Sequence, residues 1–373
     1  MRKILPLYII CLIFAYLSHR SSVYDHRLGQ YKYKDRIFYA VVIIAAVIFA
    51  GLRTNYNDTW AYISGYENLS VSIDWLSQIN WSIGEYPLFN LTNVILKRMG
   101  FSTQSFVMFY SALTIGISLW FVWKYTNDIV LSVFLFFTIG FYTFSLAAMK
   151  QCVATAICLL GIDQLLKGRK VFFFIWVFIG VLFHPFSAMF LISPFLLFSP
   201  WSPPTFIMLI VCALAGFSMQ TWLSGAIDLL SVVGVEYEDS SLITGEGVNV
   251  FRVLVAWAPV AISFLAAKFW RRSKNKANNL VINLSVLCAE LTFIALFGNP
   301  IYFGRLGNYF LVFQAISIPL TLVCFEYNSQ MVLKLATIIG YIGYTVYGNI
   351  FVRNPFDKVF QSTTLWKFLK EVF

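Results

Sequence analysis

Residues 129–170 read IVLSVFLFFTIGFYTFSLAAMKQCVATAICLLGIDQLLKGRK, and this stretch decides the fold class. Two long apolar runs, Ile129–Met149 and Cys152–Leu166, meet at Lys150 and Gln151, and the second ends on the basic cluster Lys167-Gly-Arg169-Lys170. Apolar runs turned at a polar corner and closed by lysine and arginine form the pattern of a membrane hairpin whose basic loop stays in the cytosol.

The rest of the chain extends this pattern in both directions. Further apolar runs lie near residues 4–17, 37–52, 104–123, 171–183, 186–199, 204–223, 251–270, 279–297, 303–325 and 331–351, several of them shorter than the roughly 20 residues of a straight span. The 373 residues are 59% hydrophobic and 12% charged, with a mean hydropathy of +0.75. That is about half the charge of a soluble domain. The expected fold is an all-α polytopic integral membrane protein, one membrane domain over residues 1–373 with about 12 transmembrane helices.

Charge orients it. The dense clusters Arg27 to Arg36, Lys167 to Lys170 and Arg271 to Lys276 all fall in loops of one parity, and they mark the cytosolic side. The run Ile4–Leu17 after Arg2-Lys3 imitates a signal peptide but has no small-x-small cleavage site behind it. Five basic residues between Arg20 and Arg36 outweigh Arg2 and Lys3, so the N-terminus is expected outside. Residues 53–103 then become a large external loop with an interfacial helix (Tyr86–Met99), and 224–250 an external loop carrying Glu236, Glu238, Asp239 and Glu246. The tail, 352–373, is amphipathic over Lys358–Phe373 and reads as an interfacial anchor.

Several function classes drop out. The net charge of +10 lies in short clusters between apolar runs, as in cytosolic loops, so nucleic acid is not an expected partner. Cys11, Cys152, Cys158, Cys212, Cys288 and Cys324 are scattered singly in apolar stretches and read as packing residues, not disulfides or metal ligands. No phosphate-binding loop, zinc-protease helix, nucleophile elbow or dinucleotide fingerprint occurs. No cofactor is expected; two carboxylates near a substrate phosphate could hold Mg²⁺, but no paired Asp motif argues for a metal, and none is assigned. Energy must arrive with the substrate.

A sparser set of polar residues falls at helix ends of the other parity: Arg53, Asp58, Glu85, Lys150, His184, Arg252 and Arg305. Each has a structural reading beside the chemical one. Arg53 and Asp58 pair with each other or form part of a site, with Glu85 a second carboxylate on the same side. Lys150 snorkels to headgroups, or joins Gln151 in holding a phosphate. His184, ahead of Pro185, satisfies broken backbone or transfers a proton. Arg252 opens the span after the acidic loop, and Arg305, inside an apolar run, pairs with Glu290 or serves a ligand. Asp163 reads as an inward polar residue near the cytosolic end. The aromatic residues of 53–103, among them Trp60 and Tyr62, form an interfacial belt or a sugar-stacking surface.

In this order and spacing the residues resemble the EpsG family, the Wzy-like polymerases of bacterial exopolysaccharide and O-antigen assembly. The pieces are Gly51-Leu52-Arg53 with Asp58 and Tyr62, then Glu85 with Pro87 and Asn90, Lys150-Gln151 with Ala154, His184 with Ser187-Ala188, and Arg305 with Tyr309. Two positions depart from the family pattern: Lys150 stands where arginine is usual, and Asn57 where a glycine commonly precedes the aspartate.

The resemblance implies a membrane glycosyltransferase without a nucleotide-binding domain, in the bacterial cytoplasmic membrane with its site facing the periplasm or exterior. It would move a glycan from undecaprenyl pyrophosphate to a hydroxyl of another lipid-linked repeat unit. Its partners would be lipid-linked oligosaccharide, membrane lipid and a chain-length regulator. On that reading Arg53, Lys150, Gln151, Arg252 and Arg305 bind pyrophosphate, and His184, ahead of Asp58 and Glu85, takes the acceptor's proton. Trp60, Tyr62 and Tyr309 stack on sugars. Two other classes compete: a flippase of lipid-linked oligosaccharide, and a membrane glycan ligase or acyltransferase.

Overall fold

With lipid as solvent, each backbone N–H and C=O of an apolar run must find its partner within the segment, and the runs accordingly close into helices. A computed structural model describes residues 2–25, 28–70, 79–232, 247–351 and 355–372. In chain order it contains α1 (Leu5–Arg20), the hairpin β1–β2 (Val23–Asp25, Gln30–Tyr33), α2 (Ile37–Gly51), β3 (Arg53–Asn55), α3 (Thr59–Glu67) and α4 (Pro87–Arg98). Next come α5 (Thr103–Ser111) and α6 (Ile117–Tyr125), joined through a π turn at Ala112–Gly116, then α7 (Ile129–Thr138), α8 (Phe141–Ala147), α9 (Met149–Leu166) and α10 (Lys170–Phe183). A 3-10 segment, Pro185–Leu196, leads to α11 (Pro203–Phe217) and α12 (Met219–Val232). The remainder is α13 (Val250–Leu265), α14 (Ala267–Trp270), α15 (Lys276–Ile294), α16 (Leu311–Leu322), α17 (Tyr327–Phe351), α18 (Phe356–Val359), β4 (Gln361–Ser362) and α19 (Leu365–Val372).

Among the described residues four helices are long and apolar enough to cross a membrane, or six if each of two bent pairs counts as one span, and five shorter apolar helices accompany them. The run 129–149 that opened the sequence reading is one of the bent pairs. Gly140 adopts φ +98, a conformation with no penalty for glycine, and α7 and α8 meet there at 46°. Of the four candidate spans α15 is the most buried, packed against α11, α13 and α16, and α17 lies at the periphery. Outward faces are apolar: Val171, Phe174 and Phe178 on α10, and Ile207, Ile210 and Leu214 on α11, are all exposed. Such continuous apolar surface belongs against lipid.

Polar groups separate to two ends. At one end the Lys34 ammonium donates to the carbonyls of Trp123, Lys124 and Thr126, Asp163 accepts from Tyr125 and pairs with Lys124 and Lys167, Lys334 pairs with Asp128, and Arg271 donates to the Trp201 carbonyl. The described basic clusters all lie here, with Asp163 buried among them. At the other end β3 pairs antiparallel with β4, and the amides of Arg2 and Lys3 donate to the Asp357 carboxylate. The tail is therefore more than an anchor: its strand satisfies the edge of β3, and Phe360 stacks on Phe49 with ring centroids 5.0 Å apart. Arg27, Trp75 and the acidic residues Glu236, Glu238, Asp239 and Glu246 lie outside the described residues.

Candidate functional site

Arg53 leaves α2 and turns inward. Its guanidinium is buried, with Nη1 donating to the Ala50 carbonyl and the Ser111 hydroxyl at 2.7 Å each and Nε donating to Thr59 Oγ1 at 3.3 Å. Burial lowers it to about 10, which leaves it charged at neutral pH. It ties α2, α3 and α5 together behind the site. Asp58 does not pair with it.

The partner of Asp58 is Arg305, whose Nη2 lies 3.9 Å from the carboxylate, with both side chains about half exposed (52% and 48%). Two sequence alternatives are thereby replaced: the Arg53–Asp58 pair, and the Arg305–Glu290 pair, since Glu290 is buried within α15 beside Cys212. Asn57, just before Asp58, has φ +45, where asparagine is tolerated and glycine is unstrained. This explains why glycine suits that position in the family pattern.

Arg305 is carried by a 3-10 turn, Phe303–Arg305, followed by a second turn, Gly307–Phe310. Neighbours hold that loop by its backbone. Gln151 Nε2 donates to the Arg305 carbonyl at 2.8 Å, and Arg252 Nη2 donates to the Gly304 carbonyl and to Asn308 Oδ1. Gly307 packs so tightly on α15 that a Cβ there would stand 2.5 Å from Thr292 Oγ1 and 3.0 Å from the Cys288 carbonyl. Gln151 and Arg252, expected to hold phosphate, use Nε2 and Nη2 respectively to hold the loop that carries Arg305.

His184 lies in the bend between α10 and Pro185, outside both helical segments, with its Nδ1 2.6 Å from the Tyr309 hydroxyl. Tyr309 is buried (1% exposed), so it orients the imidazole and offers no free ring face. Burial first, and then the charges of Lys150 and Arg305, push His184 down to about 4. The imidazole is neutral at pH 7. Tyr86, read from sequence as part of an interfacial belt or a sugar-stacking surface, lies 5.5 Å from His184 by ring centroids and takes the Lys150 ammonium over its face at 4.0 Å. It holds φ +54 ahead of Pro87, a strained backbone for a tyrosine and the kind that concentrates at functional sites. The Lys150 backbone lies close enough to the Tyr62 hydroxyl to act on it. Glu85 is exposed on the rim close enough to act on both Lys150 and Tyr86, and Trp60 points outward, 65% exposed.

Two cavities meet at Arg305. One, of about 480 Å³, has His184, Gln151 and Tyr309 at its polar end and Phe186, Met189 and Leu223 on its walls. The other, of about 550 Å³, is more polar and includes Asn57, Arg252, Asn308 and Gln314. Arg305 and Ile301 belong to both. Among the described residues no group of three or more His, Cys, Asp or Glu side chains is gathered as a metal site. The signature of the EpsG family matches residues 36–360, and no curated protein and no solved structure matches the chain.

Proposed function

The chain belongs to the EpsG family of Wzy-like polymerases, and on that premise we propose that it is a membrane glycosyltransferase that lengthens a polysaccharide. It would transfer a glycan from undecaprenyl pyrophosphate to a hydroxyl of a second lipid-linked unit, at the end of the molecule opposite its basic clusters. That end would face the periplasm or exterior, with the chain making up to about twelve passes. The observation that carries the reading is Arg305: a half-exposed cation on the shared wall of two cavities, 3.9 Å from a carboxylate.

The chemistry follows from charge development. The bond from the anomeric carbon to pyrophosphate oxygen breaks and its electron pair leaves with the pyrophosphate, while the acceptor oxygen bonds to that carbon and loses its proton. Arg305, with Lys150 nearby, favours the departing anion. Asp58 is the better proton acceptor, since it stands beside Arg305 and is open to the side from which an acceptor arrives. His184 suits another task. Its imidazole is partly buried and neutral with one nitrogen engaged by Tyr309, so the other nitrogen serves best as a donor. In the tautomer that accepts from Tyr309 at Nδ1, Nε2–H is left to bond a phosphate oxygen. Glu85 acts on the charge of Lys150 from the rim.

A flippase needs polar groups through the membrane depth, and here the described candidates gather at one end. Purified protein in liposomes, supplied with lipid-linked repeat units, tests both readings. Glycan ladders that vanish in Arg305→Ala and Asp58→Asn support the polymerase. Translocation without elongation would overturn it. An exposed ion pair contributes less than about 1 kcal/mol, so both variants should fold normally.

A further inference from the structure

A third cavity, of about 400 Å³, continues from the arginine-lined one and shares Tyr56, Gly140, Thr143, Arg252 and Tyr344 with it. Its inner boundary is the break between α7 and α8, where no atom lies within 4 Å of the position a Gly140 Cβ would take. Its far wall is the end of α17.

The lining there differs in kind from the cavity beside His184. Tyr56, Tyr344 and Tyr347 contribute ring faces and hydroxyls, and Asn249, Thr345 and Asn349 contribute amides and a hydroxyl. Asn249 Nδ2 donates to the Tyr347 hydroxyl at 3.1 Å, which braces the wall. Asn349 Nδ2 donates to the Thr345 carbonyl at 2.8 Å, which fixes its amide on the wall. Tyrosine hydroxyls and amides gathered on one cavity wall suit a ligand with hydrogen-bonding groups of its own. An isoprenoid has no donor to give. A sugar offers hydroxyls to amides and apolar C–H faces to tyrosine rings.

From this lining and its continuity with the Arg252–Arg305 wall, we propose that the third cavity is a saccharide subsite holding the glycan of the lipid-linked donor beyond its pyrophosphate. The groove then has a polarity: isoprenoid against Phe186, Met189 and Leu223, pyrophosphate at Arg305, and successive sugars past Arg252 toward Asn349. The inference rests on the polymerase reading for the identity of the donor. The binding of sugar itself can be judged without it.

The test uses the full chain in nanodiscs with lipid-linked repeat units from its own host, and the repeat-unit oligosaccharide released from them by mild acid. Tyr344→Ala and Asn349→Ala should still join two units but stop at short products, with KM for the lipid-linked unit raised about tenfold, a loss of about 1.4 kcal/mol. Saturation-transfer NMR should show the free oligosaccharide binding the native protein and not the variants. Ladders, KM and oligosaccharide binding all unchanged would overturn the subsite. So would variants that weaken binding of undecaprenyl phosphate bearing no sugar, because the cavity would then take lipid. If the native protein joins no units, the polymerase reading fails, and the NMR comparison alone decides the saccharide site.

Discussion

A guanidinium is defined by what it touches, and the three arginines named from sequence have three different surroundings. Arg53 is enclosed by Ala50, Ser111 and Thr59, Arg252 grips a backbone turn, and Arg305 alone is half exposed beside a carboxylate. Arg53→Ala removes three buried hydrogen bonds from a charged donor and should cost about 3 kcal/mol or more, read as a lowered Tm and reduced yield of folded protein; a variant stable yet inactive would place Arg53 at the substrate. Arg53→Lys should not restore it, since an ammonium lacks the fork that reaches all three. His184 gives a pH prediction. Its folded value of about 4 lies below the ordinary 6.5, so between those values the unfolded chain binds a proton that the folded chain refuses. Stability should therefore fall as pH drops from 6.5 toward 4 and be unaffected by this group above 6.5. Thermal melts at pH 7 and pH 5 should show the loss in the native protein and a smaller one in His184→Gln. Tyr309→Phe removes the hydroxyl that fixes the imidazole and should lower turnover at least about tenfold with KM little changed.

At the scale of elements, the site is a loop clamped between helices. The turns carrying Arg305 lean on α15 through Gly307, are gripped by Arg252 from α13, and are held by Gln151 from the first turn of α9. Gly307→Ala should push the loop off α15 at a cost of about 1–3 kcal/mol and suppress polymer formation while most helix content, read by circular dichroism, survives. Retained full activity would show that the clamp is not needed. The positions of the helices were legible in the sequence, because apolar length and breaker residues act locally. The tail strand was not. Gln361 and Ser362 carry no strand signal of their own and extend because β3 offers an edge to pair with.

For the whole molecule, orientation is the quantity that function demands. The separation of basic clusters from the Arg305 cavities predicts opposite compartments, checked with a membrane-impermeant maleimide on single-cysteine variants. Trp60→Cys should label in intact cells, and Lys170→Cys only after permeabilisation; the reverse pattern would put the site in the cytosol. By itself the sequence determined membrane residence, the helical class and the separation of dense basic clusters from a sparser set of polar residues, because hydropathy and charge are summed along the chain and need no partner. Only the tertiary structure decided which of those residues is free to meet a ligand. Arg53, Gln151, Arg252 and Tyr309 differ from Arg305 in their neighbours, contributed by segments up to 154 residues away in the chain, and a neighbour at that distance leaves no mark in local sequence.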